Sequence, residues 1–216
     1  MKNRYSNLFE ELYFNGFVLY PIDINNHKIK DTVENIKEIS LGNLKDGFFL
    51  EEHMGTASDL KPSVKEYSPV FENFYSVSGV SNFLEEYLKY SVKITTLQLR
   101  GAYDGSSYLG WHRDTHYYTN EEQVHGNVPP IHKSIFYPKL HDEKARATLA
   151  VVKGSHISYS NNKLIDLGLP RTPFKKKVKV YESNKSALIF NTSLLHAVLP
   201  VKGSPIYRMI ASFDKK

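Results

Sequence analysis

Cysteine is absent from the chain. That removes disulfides, thiolate metal sites and cysteine nucleophiles together, and leaves any metal to histidine and carboxylate. No segment approaches the ~20 apolar residues needed to cross a bilayer, so no membrane association is expected. The N-terminal MKNRYSNLFEELYFNGF carries acidic residues among its apolar ones and lacks the uninterrupted apolar core of a signal peptide. A cytoplasmic protein is expected. Internal repeats, low-complexity tracts and obvious linkers are also missing, and 216 residues fit one ordinary domain, 1–216. A formal charge of +5 is mildly basic, with much of the excess in Lys175, Lys176, Lys177, Lys179, Lys215 and Lys216. No aromatic residues interleave with a basic face, so no nucleic-acid partner is expected.

What is present changes character near residue 92. Residues 1–91 read as mainly helical. Leu8, Leu12 and Phe14 fall roughly on one helical face, Asn15-Gly16 supplies a stop, and Phe17–Tyr20 is a short strand closed by Pro21. Residues 31–40 and 79–90 suggest two more amphipathic helices, while 51–70 is rich in turn formers and reads as a surface loop or lid. Over 92–214 the period is two, with strands expected at 92–103, 134–137, 147–152, 178–182, 187–196 and 207–213. Helices first and strands after predict an α+β domain, and this number of short antiparallel strands closes naturally as a jelly roll (a double-stranded β-helix) with the helices packed on one sheet.

Trp111-His112-Arg113-Asp114 carries the first chemistry. Residues two apart on an extended segment point the same way, so His112 and Asp114 project together. An imidazole and a carboxylate on one face supply two ligands of a 2-His-1-carboxylate triad, the set that holds non-haem Fe(II) with open positions. Alone, the pair reads equally well as a surface ion pair or a capped turn. A third ligand must come from a distant strand, and Ala187–His196 is a mostly apolar segment ending in a histidine. By alternation Phe190, Thr192, Leu194 and His196 share one face. Arg208 lies in a strand whose two faces are both largely apolar, so its guanidinium needs a carboxylate partner. No acidic residue is an obvious local candidate; a distant structural Asp or Glu would serve, and so would a bound dicarboxylate, through a two-pronged match.

His112-x-Asp114, then His196, then Arg208 twelve residues later, resembles the phytanoyl-CoA dioxygenase (PhyH) family of Fe(II)/2-oxoglutarate oxygenases. The stretch Thr148–His156 is similar to that family's apolar strand and Pro-Gly-Ser-His turn, with Lys153 in place of the proline. The opening Phe9–Leu19 resembles its N-terminal helix, glycine and short strand. The resemblance implies that His112, Asp114 and His196 hold iron, and that Arg208 holds the distal carboxylate of 2-oxoglutarate. It further implies a polar co-substrate contact at Gln98 and an apolar wall at Phe190. Some relatives carry a hydroxyl residue two past the distal histidine; Val198 stands there, so another group must supply any such contact. The activity implied consumes 2-oxoglutarate and O2, releases succinate and CO2, and hydroxylates an unactivated C–H bond. An acidic ligand at 114 argues against halogenating relatives, which carry a small residue there.

The substrate is expected to be a small molecule, anionic or polyhydroxylated given the basic and tyrosine residues nearby. Arg100, Arg113, His116, Tyr117 and Tyr118 are candidates to contact it, although an extended segment turns Arg113 away from its neighbours. Thr119–Pro130 reads as a loop over the site, and such loops set selectivity. His156 closes a turn. Two other readings stay open: a non-catalytic jelly-roll binding module, and a different metal enzyme of cupin type, or a zinc enzyme using His112 and His116, four apart. Oligomeric state is not legible.

Overall fold

The computed structural model describes residues 5–53, 57–103, 105, 110–114, 132–156 and 176–216. Five helices appear among them: α1 (Ser6–Asn15), α2 (His27–Ser40), α3 (Val64–Tyr67), α4 (Pro69–Val77) and α5 (Val80–Leu88). The strands are β1 (Phe17–Pro21), β2 (Phe49–His53), β3 (Ala57–Lys61), β4 (Val92–Ala102), β5 (His132–Phe136), β6 (Ala147–Val152), β7 (Lys177–Tyr181), β8 (Ser186–Asn191), β9 (His196–Val198) and β10 (Ile206–Lys215). All pairings are antiparallel, in a larger sheet ordered β1-β8-β5-β10-β4-β3-β2 and a smaller one ordered β7-β6-β9. This is the jelly roll expected, with the helices against the outer face of the larger sheet.

β10 shows why both faces of one strand are apolar. Tyr207, Met209, Ala211 and Phe213 pack outward with Phe71, Phe74, Tyr75, Phe83 and Leu84 of the helices. Ile206 and Ile210 pack inward with Leu149, Val151, Leu188 and Phe190, between the sheets. Burying one such aromatic ring contributes roughly 1.5–3 kcal/mol, so the helical layer anchors the larger sheet. The Tyr75 hydroxyl, fully inside, donates to the Met209 carbonyl at 3.1 Å and pins α4 to the middle of β10.

Helix boundaries follow local chemistry. The Asn26 side chain accepts from the Lys28 amide at 3.0 Å and caps α2, which starts four residues earlier than the hydrophobic pattern suggested. α1 stops at Gly16, whose φ of 79° suits glycine, and whose missing Cβ leaves room for the His156 ring. His156 in turn meets the Tyr13 carbonyl through Nε2 at 2.9 Å, tying the turn after β6 to the end of α1.

Three expectations need correcting. Residues 51–70 are not a surface loop: most of them build β2, β3 and α3, and the β2–β3 hairpin extends the larger sheet beyond β4. The N-terminal part is therefore partly sheet, since β1, β2 and β3 all join it. Phe14 does not sit on the buried face of α1; it is 62% exposed, and Leu12 fills the core instead. Finally, 187–196 is not one strand. The chain leaves β8 at Asn191, whose side chain accepts from the Ser193 amide at 2.9 Å, and crosses to the smaller sheet before β9.

Candidate metal centre

The crossing after β8 makes the site. His196 opens β9, inside the smaller sheet, and its backbone exchanges hydrogen bonds with His112: amide of 112 to carbonyl of 196 at 2.8 Å, and the reverse at 3.0 Å. The Asp114 amide donates to the Thr192 carbonyl at 3.0 Å. The 110–114 segment is thereby stitched beside β9, and alternation turns His112 and Asp114 to the same side. Arg113 points the other way and donates to the carbonyls of Ser155, at 2.8 Å, and Ser193. It is not among the residues that line the cavity, and it braces the turns that carry the ligands.

The three ligand atoms all lie within 4.8 Å of one another. His112 Nε2 is 3.8 Å from one Asp114 oxygen, and His196 Nε2 is 3.6 Å from the other. Adjacent ligands of one first-row ion, each at ~2.1 Å, sit about 3 Å apart, so the trio needs to close only slightly. Both rings are held ready by their other nitrogen: His112 Nδ1 lies 2.7 Å from the Gly110 carbonyl and His196 Nδ1 lies 2.9 Å from the Leu194 carbonyl. A proton on each Nδ1 leaves both Nε2 lone pairs facing the carboxylate, the arrangement metal-binding histidines adopt. The residues fit a divalent ion of the 2-His-1-carboxylate class.

Burial pushes the His196 imidazole down to about 4, against the opposing pull of Asp114. It is therefore neutral and ready to bind metal at ordinary pH. Linkage fixes the sign for the metal-free protein. The unfolded histidine takes up a proton near 6.5 while the folded one resists until about 4, so stability is lost as pH falls through that window. Chemical denaturation of metal-free protein between pH 7 and 4 is expected to show this decline, and His196→Gln should flatten it.

Lys133, unmarked by any motif, completes the cluster. It projects from β5 with its Nζ 3.1 Å from Asp114, and its side chain is 26% exposed. In the larger sheet it sits opposite Phe190 of β8 and Ser212 of β10. The ammonium competes with a cation for the carboxylate and repels it. Lys133→Met is expected to tighten divalent-ion binding in the absence of keto acid by about 1 kcal/mol or more, roughly fivefold. Calorimetric titration with Mn(II) measures this, and weaker binding would mean that Lys133 instead orients Asp114.

A cavity of about 80 Å³, open to solvent, runs inward from this cluster between the sheets. His112, Asp114, His196 and Lys133 line it together with Gln98, Arg100, Phe190, Val198 and Arg208. The Phe190 ring lies edge-on to His196, centroids 5.1 Å apart, reached across the gap between sheets rather than along one strand. Arg208 is 3% exposed and pairs in register with Arg100 of β4. Burial, and then Arg100, pushes the Arg208 guanidinium down to about 9, which leaves it charged at neutral pH. An acidic residue does stand near: Asp59 of β3, which favours the Arg208 charge while giving both oxygens to Arg100 at 2.6 and 2.7 Å. Asp59 is the distant structural acid that the sequence left open, hidden because 51–70 reads as a loop. Arg100 consequently belongs to the Arg208 end of the cavity. Of the remaining candidates, His116, Tyr117, Tyr118 and the Thr119–Pro130 loop lie outside the described residues.

Similar structures share this architecture. AviO1 from Streptomyces viridochromogenes aligns with a TM-score of 0.66 at 15% identity, over 100% of this chain and 96% of its own. The non-haem α-ketoglutarate-dependent epimerase SnoN aligns with a TM-score of 0.69 at 12% identity, over 97% of this chain and 80% of its own. The fold is that of the iron/2-oxoglutarate oxygenases. HygX from Streptomyces hygroscopicus, crystallised with nickel and 2-oxoglutarate, aligns with a TM-score of 0.62 at 17% identity, over 96% of this chain and 87% of its own. The sequence matches no family model and no curated protein. Among the described residues no helix is long and apolar enough to cross a membrane.

Proposed function

We propose that this chain is an Fe(II)- and 2-oxoglutarate-dependent dioxygenase of the PhyH-like kind, working in the cytoplasm. Its expected reaction is hydroxylation of an unactivated C–H bond in a small, anionic or polyhydroxylated molecule. One observation carries the reading: a single cavity has a two-histidine, one-carboxylate triad at one end and a buried arginine at the other. A 2-oxo dicarboxylate is a molecule with a metal-chelating end and a distal carboxylate, and this cavity offers a partner for each.

In that reading His112, Asp114 and His196 hold the ion on one side and leave its other positions open. Arg208 fixes the distal carboxylate, and Phe190, Val198 and Ile210 form apolar walls that exclude water from the keto acid. Iron and 2-oxoglutarate with O2 supply the oxidation, releasing succinate and CO2; the chain's part is to orient the target carbon. Gln98 sits on the same inward face of β4 as Arg100 and offers a polar contact to the co-substrate.

Structures of similar fold include a non-haem α-ketoglutarate-dependent epimerase and carbocyclase, so this fold serves outcomes other than hydroxylation. HygX has been crystallised with hygromycin B, which supports a polar small-molecule substrate. Anaerobic addition of Fe(II) and 2-oxoglutarate should produce a weak visible metal-to-ligand charge-transfer band. Aerobic screening against a metabolite panel should then yield succinate, and mass analysis of the product separates oxygen insertion from ring closure or epimerisation. No band and no succinate across the panel would defeat the enzyme reading in favour of a binding module.

A further inference from the structure

Register across β5, β10 and β4 sets one row of side chains at the level of the triad. Lys133 stands opposite Ser212, and Ser212 opposite Thr96. Lys133 lines the metal cavity, while Ser212 alternates with the inward Ile210 and Thr96 with the inward Gln98. The Thr96 hydroxyl donates to the Ser212 Oγ at 2.8 Å, which leaves Ser212 its own proton to give. The row therefore carries an ammonium where Lys133 meets Asp114 and a pair of hydroxyls beyond it.

Beside Thr96 the sheet opens. β3 pairs with β4 where residues 57–59 meet 100–102, and its remaining residues diverge from it. Between them lies a hollow of about 370 Å³, whose lining includes Thr95, Thr96, Gln98, Ser63, Lys61 and Lys65. Gln98 lines this hollow and the metal cavity alike, so the two adjoin there. Small-molecule sites run to roughly 300–1,000 Å³. The hollow reaches that range and the metal cavity, at about 80 Å³, does not. Room for a prime substrate thus lies beside the metal cavity and not within it.

Formal charge singles out Lys133. In the loaded site a divalent ion, Asp114, dianionic 2-oxoglutarate and Arg208 balance to zero, with the histidine ligands uncharged. Arg100 is balanced by Asp59, and Lys61 and Lys65 pair with Glu51 and Glu72 at 3.3 Å each. Among the described residues lining the two spaces, Lys133 is the cation left over. One of its three N–H donors meets Asp114, and the other two have no partner among the described residues. Its side chain is 26% exposed, shielded enough from water for an anion to gain by meeting it.

We propose that the prime substrate is a small anion whose charged group is held by Lys133 and whose body lies across Ser212 and Thr96 into the hollow between β3 and β4. Lys133 is then the specificity-determining residue of the site. The inference rests on the dioxygenase reading above and narrows its substrate class from anionic or polyhydroxylated to anionic.

The test uses protein saturated with Zn(II) and excess 2-oxoglutarate, which is inert to oxygen and reports binding alone. A small-molecule metabolite extract is divided by an anion exchanger into a retained and an unretained pool. The melting temperature of the loaded protein is read against increasing amounts of each, since a ligand of the folded state raises it by mass action. The retained pool should raise it and the unretained pool should not. Lys133→Met should need on the order of tenfold more of the retained pool for the same rise, as for a lost bond to a charged group. Lys133→Arg, which keeps the charge, should stay close to wild type, and both variants should still bind 2-oxoglutarate. A rise from the unretained pool alone, from neither pool, or equally in Lys133→Met overturns the proposal. So does loss of 2-oxoglutarate binding in Lys133→Met, which would assign the ammonium to the co-substrate. Wild-type protein that binds metal but no 2-oxoglutarate would instead sink the dioxygenase reading, and the role of Lys133 with it.

Discussion

Replacement of Asp114 by Ala is expected to abolish Fe(II)-dependent turnover. The substitution removes the anionic ligand of the trio, and its effect does not stop there. Lys133, whose Nζ lies 3.1 Å from that carboxylate, loses its counter-charge and leaves a cation beside the two imidazoles. A divalent ion would then meet net repulsion where it had met attraction. The loss of metal affinity should exceed the roughly 10–100-fold that removal of an outer-shell partner costs. Titration with Mn(II) and anaerobic Fe(II) measures the affinity, and succinate release measures turnover. The fold should survive, because the Asp114 backbone contact to Thr192 does not need the side chain. Retention of wild-type metal affinity by Asp114→Ala would show that the ion, if bound at all, sits elsewhere.

Arg208→Met should produce opposite signs in stability and in binding. Met fills much of the same volume without bringing a charge into a place that is 3% exposed and shared with Arg100. Replacing a buried charge by a well-packed apolar side chain is often neutral or stabilising. The unliganded variant should therefore melt no lower than the parent. Binding of 2-oxoglutarate should fall by about 2–5 kcal/mol, some 30- to several thousandfold, as when one partner of a buried charge pair is truncated. Metal affinity should hardly change, since Arg208 lies at the far end of the cavity from the triad. A variant that loses stability while keeping its 2-oxoglutarate affinity would assign Arg208 to the structural network with Asp59 instead. The pairing of this result with that for Asp114 separates the two ends of the cavity experimentally.

Several parts of the site were legible because they depend only on local geometry. The shared direction of His112 and Asp114 follows from a period of two, whatever that segment pairs with. Arg208 between apolar neighbours announced a buried cation by the same alternation. His196 at the end of an apolar segment was recognisable, but the reason it faces Phe190 was not. The two sit on different sheets, and the Asn191-Thr192-Ser193 turn between them is a signal that apolar continuity obscured. The β2–β3 hairpin was hidden for a related reason: its strands are short and rich in charge, so their composition matches a loop.

Sequence alone determined the period of each strand, the residues that share its faces, and hence the donor types available for a metal and for a carboxylate. Tertiary structure alone decided which strands became neighbours. Asp59 and Lys133 carry no motif, because what gives each of them meaning is its meeting with a segment far away in the chain: β3 against β4, and β5 with the 110–114 segment. Side-chain direction is a local property of the backbone, fixed within two or three residues. Partnership across a sheet is set by the collective burial of two apolar faces, and no single segment contains that information.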